Sequence, residues 1–185
     1  LNRREFEGRL ERSLESARDG ARRHALLYLD LDEFKLVNDT AGHYAGDQLL
    51  KELSAILQAC IRPTDTLARL GGDEFGVLLE DTAIDRARRL AVPLRAAVRR
   101  FRFRWQDRSF AVGVSIGLVP ISVEMADRVG VLVAADAACY VAKESGRDRI
   151  HEYQADDVAL VERYGAMLWV QRIQSALHEE RFTVR

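Results

Sequence analysis

Four carboxylates end or interrupt apolar runs of the 185-residue sequence: Asp30, Asp32, Asp73 and Glu74. If the runs that carry them are neighbouring strands, these side chains converge at one edge of a sheet and repel one another in a low-dielectric setting. A hard divalent cation relieves such repulsion, and Mg²⁺ is typically held by one or two carboxylates together with substrate phosphates. The pattern predicts metal-dependent phosphate chemistry. The alternative is an exposed hairpin tip made of ordinary turn residues.

Two glycines, Gly71 and Gly72, come directly before Asp73. Without side chains they permit an unusual turn and let a bulky ligand approach the backbone. The short apolar runs on either side, TLARL and EFGVLL, predict a hairpin around them.

The remaining periodicity predicts the elements that position these groups. We expect an initial helix, a strand over HALLYLDLDEF, a loop over KLVNDTAGHYAGD and a helix from Asp47 that ends at Pro63. Residues 83–100 predict a helix that Pro93 kinks or interrupts. RFRW and SFAVGVSIGLVPI predict paired strands, and RDRIHEY a closing strand. Residues 127–144 predict a helix with these residues inward: Val129, Leu132, Val133, Ala137, Tyr140 and Val141. This order indicates a mixed sheet covered by helices, an α/β or α+β sandwich.

The composition and net charge of the chain limit the kinds of protein that it can be. With 48% apolar residues the chain can bury a core, and its net charge of −1 gives no electrostatic argument for a nucleic acid partner. Two cysteines without a CxxC spacing indicate a reducing compartment, so we expect a cytoplasmic domain. The sequence starts at Leu1 in a helical pattern, and we interpret it as a fragment whose parent could be membrane-anchored elsewhere.

The motifs DLDEFKLVNDTAGHYAGDQLL, RLGGDEF and ADAACYVAKESGRDRIHEY together resemble the GGDEF family of diguanylate cyclases. The resemblance implies a central five-stranded, mostly antiparallel sheet wrapped by helices, like the palm of nucleotidyl cyclases and polymerases. It implies condensation of two GTP into cyclic di-GMP with release of two pyrophosphates. Each domain would hold one GTP, so two domains must associate for catalysis.

The resemblance also implies roles for individual residues. Asp30, Asp73 and the backbone carbonyl of Leu31 would bind Mg²⁺ or Mn²⁺. Glu74 would assist deprotonation of the attacking 3′-hydroxyl or share in metal binding, while Asp32 would support the site indirectly.

The resemblance also implies which residues contact the nucleotide. Asn38 and Asp47 match the positions that read the guanine edge, which an amide and a carboxylate suit chemically. The other expected substrate contacts are Phe34, Lys35, Gly71, Gly72, Lys143 and Arg147, the last two gripping the β- and γ-phosphates from one helix face. The alternatives are turn chemistry at Asn38 and a complement to the helix carboxyl end at Lys143 and Arg147.

Arg62 and Asp65 have the spacing to Gly71 of the family's inhibitory RxxD motif, which implies a product feedback site. The alternative is a polar helix end with a solvated ion pair.

The tail YGAMLWVQRIQSALHEERFTVR resembles the linker helix and first strand that lead into an EAL phosphodiesterase domain. We therefore interpret residues 1–154 as the GGDEF domain and residues 155–185 as a helical linker toward a C-terminal EAL domain not present in this chain. A free amphipathic helix is the alternative for the tail. For the whole, the alternative is a non-catalytic GTP- or cyclic di-GMP-binding domain that controls an attached phosphodiesterase.

Overall fold

The computed structural model describes residues 3–20, 22–122, 127–154 and 157. Its helices and strands follow one another as α1 (Arg3–Arg18), β1 (His24–Asp32), α2 (Phe34–Ala41), α3 (His43–Ala59), β2 (Thr66–Gly71), β3 (Glu74–Leu79), α4 (Ile84–Arg100), β4 (Phe103–Trp105), β5 (Arg108–Phe110), β6 (Gly113–Ile121), α5 (Arg128–Glu144) and β7 (Ile150–Glu152). The predicted linker over 155–185 lies outside the described residues, apart from position 157. No helix in the described part of the chain combines the length and apolarity needed to cross a membrane.

Five strands form the central sheet in the order β2-β3-β1-β6-β7. Every neighbouring pair is antiparallel except β6 with β7, so the predicted five-stranded, mostly antiparallel sheet is confirmed. The predicted pairing of RFRW with the following strand is correct only in part. β4 pairs with the short strand β5 in a separate hairpin, and β6 joins the central sheet beside β1.

Helices cover both faces of this sheet, as predicted for a sandwich. Alternate residues of β1 belong to two separate apolar cores because successive side chains point to opposite faces. Leu27 and Leu29 pack in the core that α2, α3 and α4 contribute to, whereas Leu26 and Tyr28 pack in the core with α1 and α5. β1 is thus buried on both sides, which explains its nearly continuous apolar sequence.

The segment predicted as a loop before Asp47 is helical instead. Residues 34–41 form α2, and α3 begins at His43 rather than Asp47. Gly42, with a φ of 86°, separates the two helices. Asn, Asp, Thr and Gly suggested a loop, but burial of Phe34 and Val37 against the core stabilises helix here.

The buried face of α5 differs from the prediction. The residues that face the sheet are Val131, Ala134, Ala135, Ala138, Cys139 and Ala142, whereas Val129 and Val133 are exposed. Most residues on the buried face of α5 are small because this helix approaches the sheet closely over Gly117 of β6. A Cβ at Gly117 would overlap the carbonyl oxygen of Ala135 and lie 2.5 Å from the backbone nitrogen of Cys139.

Pro93 does not interrupt α4, which continues from Ile84 to Arg100. The ring lies on the exposed side of the helix, where water can satisfy the carbonyl that loses its usual donor.

His24 is buried at the start of β1. The backbone N–H of Asp81 donates to its Nδ1 (3.3 Å), so the neutral ring carries its proton on Nε2, 2.7 Å from the hydroxyl oxygen of Ser16. Burial lowers the pKa of His24 below its ordinary 6.5, although Asp81 and Glu80 oppose the shift. The ring is therefore held in its neutral form.

Candidate active site

The predicted convergence of strand ends is present. In the antiparallel pairing of β1 with β3, Asp30 lies directly opposite Glu74, so both side chains project from the same face of the sheet. The backbone N–H of Leu31 donates to the carbonyl oxygen of Asp73 at 3.3 Å, which ties the end of β1 to the hairpin turn. Asp30, Asp73 and Glu74 therefore lie together at the edge of the sheet formed by strand ends, where β1 ends and β3 begins.

Lys143 of α5 reaches this edge. Its Nζ lies 2.6 Å from Oδ2 of Asp30, and the Asp30 side chain is only 13% exposed. Burial raises the pKa of Asp30 to about 6, with Asp73 and Glu74 adding to the shift and the hydrogen bond from Lys143 opposing it. Burial also acts to lower the pKa of Lys143, but the bond to Asp30 outweighs it and the pKa is raised. The site therefore combines clustered acids with one partly buried cation.

Tyr28 is a neighbour that the sequence pattern did not single out. It lies two residues before Asp30 on the same face of β1, and its phenol interacts with the Glu74 carboxylate. Burial, with the Glu74 charge next, raises the pKa of Tyr28, so the phenol stays neutral. A tyrosine within an apolar strand gives no signal beyond core packing, because its partner is distant in sequence.

The donor atoms at this edge suit a hard divalent cation. Asp30 and Asp73 provide carboxylate oxygens beside the backbone of Leu31. Burial first, and repulsion from Asp73 and Glu74 after it, raise the pKa of Asp30 by disfavouring its charged form, which a bound cation would stabilise. Within the described residues, no group of three or more His, Cys, Asp or Glu side chains is arranged as a metal site. Two carboxylates with a carbonyl remain compatible with Mg²⁺, which commonly completes its shell with phosphates and water.

Asn38 and Asp47 lie on the adjacent helices α2 and α3. Gly46 leaves the space that the Asn38 side chain fills, since a Cβ at Gly46 would overlap the Asn38 amide oxygen. The Asp47 side chain is 68% exposed, with a guanidinium nitrogen of Arg69 at 3.9 Å. Arg69 also donates from Nε to the carbonyl oxygen of Gly72 at 2.8 Å, so it links Asp47 to the hairpin turn. Sequence reasoning missed Arg69.

The N-terminus of α2 adjoins the end of β1. Glu33 adopts a left-handed conformation with a φ of 61°, and α2 begins at the next residue. The amide groups of a first helical turn point outward without intrahelical partners, which suits oxyanions. Phe34 is buried and anchors this turn, while Lys35 is exposed beside it.

Arg147 does not share a helix face with Lys143, contrary to the prediction. α5 ends at Glu144, and Arg147 lies in the following turn with a φ of 55°. The expectation rested on spacing alone, whereas Gly146, with a φ of 114°, turns the chain out of the helix.

Arg62 and Asp65 form a closed pair near the start of β2. The Arg62 guanidinium donates to both Asp65 oxygens at 3.1 Å and to Thr82 Oγ1 at 2.7 Å. The Asp65 side chain is fully buried, whereas that of Arg62 is 33% exposed. Here only Arg62 is accessible to a ligand, and Asp65 holds it in place.

The sequence and the fold of this chain are both similar to those of known proteins. Residues 1–149 match the family model described as diguanylate cyclase, GGDEF domain. A probable diguanylate cyclase of Escherichia coli, DgcE, is 42% identical over 90% of this chain and 15% of its own length. A cyclic di-GMP phosphodiesterase of Shewanella oneidensis, PdeB, is 36% identical over 97% of this chain and 20% of its own.

A solved structure agrees in fold. The crystal structure of the GGDEF domain of TpbB (YfiN) from Pseudomonas aeruginosa superposes with a TM-score of 0.78 at 34% identity. The match covers 83% of this chain and 96% of that one. The chain therefore corresponds to a whole domain of that structure, but to a small fraction of the two curated relatives.

Proposed function

Because this chain belongs to the GGDEF family of diguanylate cyclases, we propose that it condenses two GTP into cyclic di-GMP and two pyrophosphates. The observation that carries the proposal is the arrangement at one sheet edge. Asp30 and Glu74 face each other across paired strands, Asp73 is tied to the end of β1, and Lys143 contacts Asp30. This arrangement combines acidic oxygens for a cation with a positive charge for phosphate.

The GTP base would lie near α2 and α3. The Asn38 amide and the exposed Asp47 carboxylate can hydrogen-bond the guanine edge, which presents N–H donors that adenine lacks. Gly71 and Gly72 leave the hairpin backbone open to the nucleotide. This side of the site would select guanine.

The phosphates would lie between α2 and the end of α5. The first-turn amides of α2 at Phe34 and Lys35 can donate to phosphate oxygens, and Lys143 and Arg147 supply positive charge. A phosphate that takes the Lys143 ammonium would release Asp30 from its present partner.

Asp30, Asp73 and the Leu31 carbonyl, with Glu74 as a further oxygen donor, would hold Mg²⁺ or Mn²⁺. When bound there, the cation supplies charge that lowers the pKa of the 3′-hydroxyl and neutralises the leaving pyrophosphate. Glu74 would accept the proton of the attacking hydroxyl, with its carboxylate oriented by the hydroxyl of Tyr28.

Two copies of the domain must meet for this reaction. Each GTP provides one nucleophile and one electrophile, so one site holds half of a symmetric reaction. Self-association therefore controls turnover, and a monomeric domain with every residue in place would be nearly inactive.

The test measures cyclic di-GMP formation from GTP and Mg²⁺ by this chain, free and fused to a dimerising coiled coil. We expect product from the fused form and little from the free form.

Asp73→Ala should abolish turnover, whereas Asp107→Ala, in the exposed turn of the β4–β5 hairpin, serves as the matched control. Full activity of the Asp73 variant would refute the metal assignment.

Product feedback at Arg62 is a further part of the proposal. The partly exposed guanidinium, held by Asp65 and Thr82, is preorganised to bind a phosphate or the edge of a guanine. Arg62→Ala should raise the cyclic di-GMP concentration needed for half inhibition, with Arg100→Ala as a surface control. Unchanged inhibition would remove Arg62 from the feedback site.

A regulatory module is the second candidate. The similarity to a protein named as a phosphodiesterase extends over 97% of this chain, which favours residues 155–185 as a linker toward an EAL domain. In that arrangement the GGDEF domain would bind GTP or cyclic di-GMP and control the attached domain without turnover. GTP binding without product from the dimerised form would favour this candidate over the cyclase.

A further inference from the structure

Asp32 lies two residues beyond Asp30 on β1, but its carboxylate has different contacts. The residue is 6% exposed. The hydroxyl of Ser115 donates to Oδ1 at 2.7 Å, and the backbone N–H of Asp148 donates to Oδ2 at 2.9 Å. Each carboxylate oxygen therefore already has a donor from the protein.

The second of these donors belongs to the turn that carries Arg147. Arg147 and Asp148 have φ values of 55° and 43°, which place two consecutive non-glycine residues in the left-handed region. Such a conformation persists only where the surroundings hold it. The N–H of Arg147 donates to the carbonyls of Ala142 and Lys143, both at 3.2 Å, which fixes the start of the turn.

The other side of the turn is fixed by β6 and α4. The N–H of Ile116 donates to the carbonyl oxygen of Arg149 at 2.8 Å. Arg95 of α4 donates from Nε to the Asp148 carboxylate at 3.1 Å. Asp148 is thus held by its side chain toward α4 and by its backbone toward Asp32.

Gly113 of β6 leaves the space for this arrangement. A Cβ at Gly113 would lie 2.8 Å from Oδ2 of Asp32 and 3.5 Å from Cβ of Asp148. Any larger residue there would displace the carboxylate oxygen that accepts from Asp148.

We propose that Asp32 is a positioning residue, which presents the Arg147 guanidinium to the phosphates of the nucleotide beside Lys143 by fixing the turn after α5. The inference rests on the proposed function, because it assigns Arg147 to phosphate. A preorganised guanidinium loses less freedom when it binds, so its contribution to nucleotide affinity depends on the turn.

This role differs in its chemistry from direct metal binding. An asparagine at position 32 can accept from the Asp148 N–H through its carbonyl and donate to the Ser115 hydroxyl through its amide. Asp32→Asn therefore preserves the positioning contacts while removing the charge that a metal ligand needs. Asp32→Ala removes the contacts as well.

The experiment measures GTP and pyrophosphate binding by calorimetry for this chain and for Asp32→Ala, Asp32→Asn, Arg147→Ala and the Asp32→Ala/Arg147→Ala double variant. Asp32→Ala and Arg147→Ala should each weaken binding about tenfold, and the double variant should be no weaker than Arg147→Ala alone. Asp32→Asn should stay within about twofold of the wild type, at an unchanged Mg²⁺ requirement.

Two further measurements keep the inference testable if Asp32→Ala destabilises the chain. Gly113→Ala keeps the carboxylate but displaces it, and should reproduce the loss of affinity. Hydrogen exchange of residues 145–149 should rise in Asp32→Ala without any nucleotide present.

Additive losses in the double variant would overturn the inference. A loss in Asp32→Asn as severe as in Asp32→Ala, with a raised Mg²⁺ requirement, would make Asp32 part of the metal site instead. Failure of the wild type to bind GTP would refute the proposed function. In that case exchange at residues 145–149 would still show whether Asp32 holds the turn.

Discussion

Gly117→Ala tests how closely α5 must pack on the sheet. The added Cβ would lie 2.5 Å from the backbone nitrogen of Cys139, with the Ala135 carbonyl oxygen closer still. Ordinary contacts between such atoms need about 3.5 Å, so α5 has to move outward by about 1 Å. Both clashing groups are backbone atoms, so no side-chain rotation can relieve the contact.

The expected magnitudes follow from that displacement. Overpacking of this kind costs about 1–3 kcal/mol in the free energy of unfolding. For a domain of this size that lowers Tm by about 2–12 °C. Lys143 moves with α5, and its 2.6 Å contact with Asp30 would lengthen beyond hydrogen-bonding range. Displacements near 1 Å can cost about a hundredfold in rate, so we expect turnover to fall about 10- to 100-fold.

Gly8→Ala is the matched control, because both substitutions add the same methyl group. Gly8 lies within α1, and a Cβ there would meet no atom within 4 Å. Alanine should stabilise that helix by about 0.5–1 kcal/mol. Thermal unfolding and initial rates of cyclic di-GMP formation in the dimerised form measure both effects. A Gly117→Ala variant that melts and turns over like the wild type would refute the close packing of α5.

Three other substitutions probe separate parts of the domain. The pKa of His24 is lower in the folded state than its unfolded 6.5, so the folded state binds fewer protons and the free energy of unfolding should fall as pH drops below 6.5. His24→Gln should weaken this fall when the free energy of unfolding is measured with urea at several pH values. An unchanged dependence on pH would contradict the assignment. Gly46→Ala places a Cβ where the Asn38 amide oxygen lies. It should weaken GTP binding about tenfold while leaving pyrophosphate binding unchanged. Equal losses of affinity for both ligands would indicate that the substitution disturbs the whole site and not the guanine contact alone. Tyr28→Phe removes the hydroxyl that interacts with Glu74 and should lower kcat about 3- to 10-fold with KM for GTP unchanged. An increase in KM alone would remove the orienting role.

The local pattern of apolar and polar residues was sufficient to predict most of the architecture. The apolar run of β1, the hairpin around Gly71 and Gly72 and the spacing of the helices predicted the order of elements, because these signals act over a few residues. The convergence of the carboxylates at one edge was predicted on the assumption that the two apolar strands are neighbours. The pairing of β1 with β3 confirms that assumption and adds that Asp30 lies opposite Glu74.

Predictions failed where the outcome depended on contacts distant in sequence. α5 is apolar at most positions, so its periodicity could not select a face, and the close approach over Gly117 decided it. The segment before Asp47 has loop composition, yet burial of Phe34 and Val37 makes it helical. Arg147 is a different case with a local cause. It was expected to share a helix face with Lys143 because the two residues are four apart, but α5 ends at Glu144 and Gly146 turns the chain away.

The sequence by itself determined which chemical groups are available and which strands bring them to one edge, since residue type and strand periodicity are local properties. Only the tertiary structure decided their partners. Lys143 with Asp30, Tyr28 with Glu74 and Asp32 with Asp148 join residues between 46 and 116 positions apart. Such pairs depend on how closely helices pack on the sheet, a property set by the shape of the whole core.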